Sequence, residues 1–295
     1  MAKYIDIFTD YGFKKIFGEE ANKNFLIDFL NALLPIDTPI KNLTFKNTEK
    51  LGKSPFDRKA IYDLYCENEC GEKFIVELQK NKQDYFKERT IYYSTFPITE
   101  QARKGEWFFD LKAVYCIGLL DFTFSDYADE NEKREVVHRI TLKDQNGKQF
   151  YHKLTYIYLE MPNFKKTEKK LETRLDKWLY FIKNLEDFQS IPKIFKNEMV
   201  FIEAMEKAEL SKMNDKDRFL YEASLKIYRD NISVIRTAKN EGIEIGEANK
   251  EKYADEKAKE KQIEMAKNCL KRGMPIPDIA DLTGLTEDEI RNITG

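Results

Sequence analysis

Two carboxylates and an amide recur at strand spacing in the first third of the chain, Asp63 within residues 61–66, and Glu77 and Gln79 within 74–79. Both segments are rich in β-forming residues, and a polar link over 67–72 joins them as a hairpin. Side chains alternate along a strand, so Ile61, Asp63 and Tyr65 share one side, as do Ile75, Glu77 and Gln79. A loop symmetric about Cys70 sets position 63 opposite position 77. Directly opposed Cβ atoms lie about 4.5–5.5 Å apart, so the two acids are expected to converge. Like charges held that close are unfavourable unless one takes a proton or a cation lies between them. A hard divalent ion resolves the conflict, Mg²⁺ first and Mn²⁺ as a substitute, because carboxylate oxygens are its preferred ligands. Such an ion polarises a phosphodiester and lowers the pKa of bound water, and Gln79 is placed to orient that water. The competing reading is a hairpin with one solvated face, of which these three residues are the polar positions. The apolar company of Ile61, Tyr65 and Ile75 weighs against it.

The elements that must hold these side chains are legible as patterns. Thr9 or Asp10 caps a first helix with Phe13, Ile16 and Phe17 on one face, and Gly18 closes it. A second helix over 22–34 buries Phe25, Leu26, Phe29, Leu30 and Leu33 and stops at Pro35. Residues 84–103 continue a helical pattern through Tyr85, Arg89, Tyr92, Tyr93 and Phe96, with a kink expected at Pro97 and an end at Gly105. The apolar run 113–120 predicts a strand covered on both faces. Strands at 135–142 and 154–159 flank an Asn146-Gly147 turn. From Thr167 the pattern is helical: Leu171, Leu175, Trp178, Leu179 and Ile182 form a stripe, Pro192 breaks it, and helices follow near 198–210 and 215–238. This order predicts an α/β (α+β) protein with a mixed sheet flanked by helices and a helical C-terminal extension. Four parts are expected: a core over 1–165, a helical extension over 166–238, a charged helix or linker over 239–262, and a small helical tail over 263–295.

Composition narrows the function classes. Among 295 residues, 50 Lys+Arg against 52 Asp+Glu leave a formal charge of −2, so there is no bulk basic field to hold nucleic acid. With 42% hydrophobic residues, 21 of them Phe and 16 Tyr, the chain has ample material for an aromatic core. No apolar run approaches the ~20 residues of a membrane span. The N-terminus lacks a signal-peptide pattern, and the four irregularly spaced Cys read as reduced thiols in a cytoplasmic protein. Cys66 and Cys70, with His138 and His152 far downstream, lack the paired spacing of a zinc site.

The order of these residues resembles the recombination-promoting nuclease/putative transposase family of the PD-(D/E)XK nuclease superfamily. The matching residues are Asp10, Phe13, Lys14, Phe17 and Gly18, then Phe29-Leu30-Asn31, Asp63, Glu77-Leu78-Gln79, and Arg89 with Tyr92-Tyr93. Gly105, Leu159-Glu160 and the tail residues Gly284-Leu285-Thr286, Glu289 and Ile290 extend the likeness. The resemblance implies a restriction-endonuclease-like core and a Mg²⁺-dependent DNA endonuclease with a bacterial role in recombining or mobilising DNA. On that pattern Asp63 and Glu77 are the metal-binding acids, and Gln79 stands where the superfamily usually has Lys. A neutral amide cannot supply the charge a Lys would bring to the reacting phosphate. Lys14 or Arg89, from neighbouring helices, is expected to replace it, whereas Lys80 should point to the other face of the strand. Arg89 is equally readable as an ion-pair residue, and Asp10 as a cap.

Double-stranded DNA is the expected partner, and cutting both strands with one site per chain favours a homodimer. Lys50, Lys53, Arg58 and Lys59 cluster just before the first acid and would guide a DNA backbone, unless they are an ordinary charged loop. The tail has a helix-turn-helix outline, but its last helix carries Glu287, Asp288 and Glu289 against Arg291, which suits packing or partner binding better than base reading. Two further classes compete with the enzyme: a nuclease-fold protein without cleavage activity, and a regulator that binds DNA through the tail.

Overall fold

The computed structural model describes residues 2–36, 38–50, 60–102, 108–124 and 135–293. Lys53, Arg58, Lys59 and Gly105 lie outside them, and the side chain of Lys50 is likewise not described. By its contacts the chain forms two units, Met1–Lys226 and Ile227–Gly295, which are taken separately below.

The first unit begins with α1 (Asp10–Phe17), capped by the Thr9 hydroxyl, which accepts from the Gly12 N–H. Gly12 must lack a side chain, since a Cβ there would lie 2.1 Å from the Asp6 carbonyl oxygen. Helix α2 (Lys23–Leu33) buries Phe25, Leu26, Phe29, Leu30 and Leu33, the apolar stripe expected of it. Trp178 of α4 (Arg174–Asn184) packs against Phe17, Phe29, Phe181 and Phe201, the last from α5 (Met199–Ala208). These rings tie α1, α2, α4 and α5 into one apolar layer.

Against the helices lies a six-stranded sheet in the order β1-β4-β5-β6-β8-β7. Its strands are β1 (Leu43–Phe45), β4 (Leu64–Asn68), β5 (Lys73–Gln79), β6 (Val114–Leu120), β7 (Val137–Lys143) and β8 (Gln149–Glu160). A separate antiparallel pair, β2 (Glu49–Lys50) and β3 (Ala60–Ile61), precedes β4. The central pairs β5–β6 and β6–β8 are parallel, and the outer ones are antiparallel, so the sheet is mixed. Every residue of β6 is buried, as its unbroken apolar run requires.

Helix α3 (Phe86–Thr99) covers the Ile75 side of the sheet, where Tyr62, Tyr65, Ile75, Phe86, Cys116, Tyr156 and Tyr158 form a core. Pro97 falls in its last turn and has no N–H for the carbonyl of Tyr93, and the Tyr62 hydroxyl donates to that oxygen at 3.0 Å instead. Because Leu64 and Val76 on the opposite side are also buried, β4 and β5 are core on both faces. A hairpin with one solvated face is therefore overturned.

Helix α6 (Asp215–Lys271) is continuous over 57 residues and includes the stretch 239–262. Within the first unit it supplies Tyr221, whose hydroxyl accepts from the Asp6 N–H, and Asp217, paired with Lys15 at 3.0 Å. The second unit closes a small core of Ala266, Cys269, Ile279, Leu285 and Ile290 between the end of α6, α7 (Ile276–Thr283) and α8 (Glu287–Ile293). Gly284 ends α7 at φ 70°, the left-handed conformation that favours glycine at this position. No helix among the described residues is long and apolar enough to cross a membrane.

Candidate metal-binding active site

The ladder pairs Leu64↔Val76 and Tyr65↔Ile75, the register expected from a loop centred on Cys70, and ends one residue short of Asp63, whose N–H faces the Glu77 carboxylate. One local feature differs from expectation. The predicted strand over 61–66 is broken at Tyr62-Asp63, between β3 and β4. The break changes what Asp63 does: its Oδ2 accepts the Leu78 N–H at 2.7 Å, standing in for the backbone carbonyl that an unbroken ladder would supply. In return the Asp63 N–H donates to Glu77 Oε1 at 3.3 Å. Each carboxylate thus has one oxygen anchored by a neighbouring backbone N–H.

Electrostatics follow from this enclosure. Burial raises the Asp63 carboxyl above its ordinary value, against the lowering effects of the Leu78 N–H and Lys14. Burial, then the charge of Asp63, raises Glu77 as well, with Arg89 and Lys14 opposing. Two half-buried acids that cannot comfortably ionise together have a built-in demand for a cation. Among the described residues no group of three or more His, Cys, Asp or Glu converges, so the donor set is the carboxylate pair. That set fits Mg²⁺, which is commonly held by one or two carboxylates and completes its shell with water and phosphate oxygens.

The flanking charges come from two sides. Helix α1 brings Lys14, paired with Asp10 at 2.9 Å, because its end abuts the start of β4: a Cβ on Gly18 would lie 2.8 Å from a Leu64 methyl. Helix α3 brings Arg89, whose guanidinium donates to Gln79 Oε1 and to Gln83 Oε1. The Gln79 amide donates to the Asn81 carbonyl at 2.8 Å. Gln79, assigned a water from sequence, is thus a brace between Arg89 and the chain beyond β5, keeping one amide proton and one lone pair for a further partner.

Lys80 is a further cation near this region. It lies one position beyond the end of β5, is half-buried, and lies within electrostatic reach of Asp10, Asp6 and Asp63. Burial lowers its pKa, and those three acids oppose the shift. Gly118 is a residue the sequence analysis missed. It pairs with Glu77 across β5–β6, and a Cβ there would meet the Tyr158 ring at 3.0 Å. Glu77, Arg89, Gly118 and Tyr158 help line a cavity of about 10 Å³, near the lower limit for one water. A lone glycine inside an otherwise apolar strand was the available signal.

Residues 7–238 match the family model described as PD-(D/E)XK nuclease family transposase. Residues 259–295 match a second, the C-terminal HTH domain of the Rpn/YhgA-like nuclease family. No curated protein and no solved structure matches the chain.

Proposed function

We propose, from the premise that this chain belongs to the PD-(D/E)XK nuclease family transposases, that it is a divalent-metal-dependent DNA endonuclease serving recombination or mobilisation of DNA. The single observation that carries the reading is the interlocked acid pair, each carboxylate fixed by the other strand's backbone at 2.7 Å and 3.3 Å, and both raised by burial. An ion bound there would act as a Lewis acid on the phosphodiester and lower the pKa of its water.

The chain's own residues divide the remaining work. Asp63 and Glu77 hold the ion, and Mn²⁺ should replace Mg²⁺ because both are hard, oxygen-preferring cations. Lys14 and Arg89 approach from opposite sides and offset the charge that grows on the phosphate oxygens. Gln79 keeps Arg89 in place and offers its remaining amide proton to the water. Lys80 adds a third cation on the α1 side. Double-stranded DNA in the bacterial cytoplasm is the proposed partner, and two copies of the chain would supply the two cuts. The helix-turn-helix domain is proposed to assist through protein contacts, since its last helix opens with Glu287, Asp288 and Glu289.

A plasmid-nicking assay with purified protein in Mg²⁺ or Mn²⁺ tests this. Wild type should nick and Asp63→Asn and Glu77→Gln should not. Equal cleavage by wild type and Asp63→Asn removes the acid pair from the mechanism. Calorimetry that detects no Mg²⁺ binding to the folded protein assigns the chain to the non-cleaving scaffolds instead.

A further inference from the structure

Only two non-glycine residues among those described have positive φ, and both are exposed aromatics: Tyr85 at 60° and Phe109 at 57°. Tyr85 is the N-cap of α3, four positions and one helical turn before Arg89. An N-cap is ordinarily an extended Ser, Thr, Asp or Asn whose side chain accepts from the first turn. Tyr85 instead occupies the left-handed region with no capping bond, a conformation that costs free energy for a bulky side chain. Its side chain gains nothing visible in return. It is 77% exposed and has no hydrogen-bond, ring or ion contact among the described residues.

The surrounding bonds hold it there. Gln79 donates to the Asn81 carbonyl, Arg89 donates to both Gln79 and Gln83, and the Arg89 N–H donates to the Tyr85 carbonyl at 2.9 Å. The loop from the end of β5 to the start of α3 is therefore braced at four points, which holds the backbone beneath the exposed ring. Residues 80–89 also contain Lys80, Lys82, Lys87 and Arg89 against Asp84 and Glu88, a net positive segment in a chain whose overall charge is −2.

A solvent-facing aromatic on a braced backbone, in a cationic segment one helical turn from Arg89, is the kind of group that stacks unpaired bases, whose flat faces are available only outside a duplex. We infer that Tyr85 is a base-stacking platform, and that the preferred substrate is DNA with an unpaired nucleotide next to the cut phosphate, as in a flap, fork or frayed end. The inference rests on the endonuclease reading and narrows its substrate class.

The test uses the full-length protein with Ca²⁺ in place of Mg²⁺ and two duplexes carrying 2-aminopurine, one with the probe in a single-stranded flap and one fully paired. Wild type should bind the flap more tightly and quench its fluorescence. Tyr85→Ala should lose about 5- to 150-fold in flap affinity, the range spanned by one stacked base, with duplex affinity unchanged. Tyr85→Phe keeps the ring and should bind like wild type. Tyr85→Gly relieves the backbone, so it should lose flap affinity while melting no lower than wild type. Flap binding by Tyr85→Ala or Tyr85→Gly equal to wild type overturns the platform, as does a wild type indifferent to the flap, and in either case duplex cleavage can stand. A wild type that binds neither DNA overturns the endonuclease reading together with this one.

Discussion

Two glutamates in this chain are driven in opposite directions. Glu77, in the sheet, has its carboxyl raised by burial and by Asp63. Glu289, in the C-terminal unit, is partly exposed to water and is held down to about 2 by Lys259 and by the backbone and hydroxyl of Thr286. The acids of the tail are satisfied locally: Lys259 pairs with Glu289 at 2.9 Å, and Arg291 pairs with Glu287 at 2.8 Å and Asp288 at 3.4 Å. Asp63 and Glu77 instead share an enclosed volume, where each raises the cost of ionising the other and only one oxygen of each is anchored by a backbone N–H. An acidic cluster in water is a surface, whereas an acidic pair walled by apolar strands is a site for something the chain itself does not supply. Charge counting treats the two alike; burial separates them.

The contrast is broken most severely by removing the acids. Asp63→Asn or Glu77→Gln should lower the cleavage rate by about 10²–10³-fold, the scale on which losing one charge-stabilising group is felt. Glu289→Gln should leave it unchanged; a comparable loss there would mean that the tail shares the chemistry. Next in size is the core of the tail. Ile290→Ala empties a fully buried position and should cost about 2–5 kcal/mol, enough to unfold so small a core. Calorimetry should then show the transition of the C-terminal unit vanish while that of Met1–Lys226 persists, and loss of both would show that the units do not fold independently.

A smaller effect sharpens the sheet side of the comparison. Gly118→Ala places a methyl 3.0 Å from the Tyr158 ring beside Glu77. Overpacking of this kind costs about 1–3 kcal/mol, and chemical denaturation should find it along with weakened metal binding. The smallest effect is electrostatic. Because both sheet carboxyls are raised, the metal-free folded protein keeps protons that the unfolded chain has already released. Its stability should therefore fall as pH rises above the ordinary carboxylate range, about 4, toward the raised folded values. Saturating Mg²⁺ should abolish that slope, and metal affinity should itself increase with pH over the same window. Urea midpoints that do not change with pH in EDTA would contradict the enclosed acid pair.

Much of this was legible beforehand. Helices α1 and α2 follow from capping and an apolar stripe, and β6 from an unbroken apolar run, because each is specified by residues adjacent in the chain. The opposition of positions 63 and 77 was legible too, since a short loop transmits register directly. The strand break at Tyr62-Asp63 was not. Its β-forming residues read as one continuous strand, and only the Leu78 N–H from across the sheet reveals why the backbone departs there. The bond from Arg89 to Gln79 was not legible for a related reason: what an amide binds depends on a residue ten positions away on another element.

What the sequence settled by itself is the set of local elements and the pairing of neighbouring strands, because periodicity, caps and short loops act between residues a few positions apart. Tertiary packing decided the meaning of the polar residues. Covering both faces of β4 and β5 turned an ordinary pair of acids into an enclosed one, and the Arg89 bonds braced the backbone beneath an exposed loop tyrosine. Desolvation and bonds between distant elements depend on what arrives from elsewhere in the chain, and no local pattern encodes that.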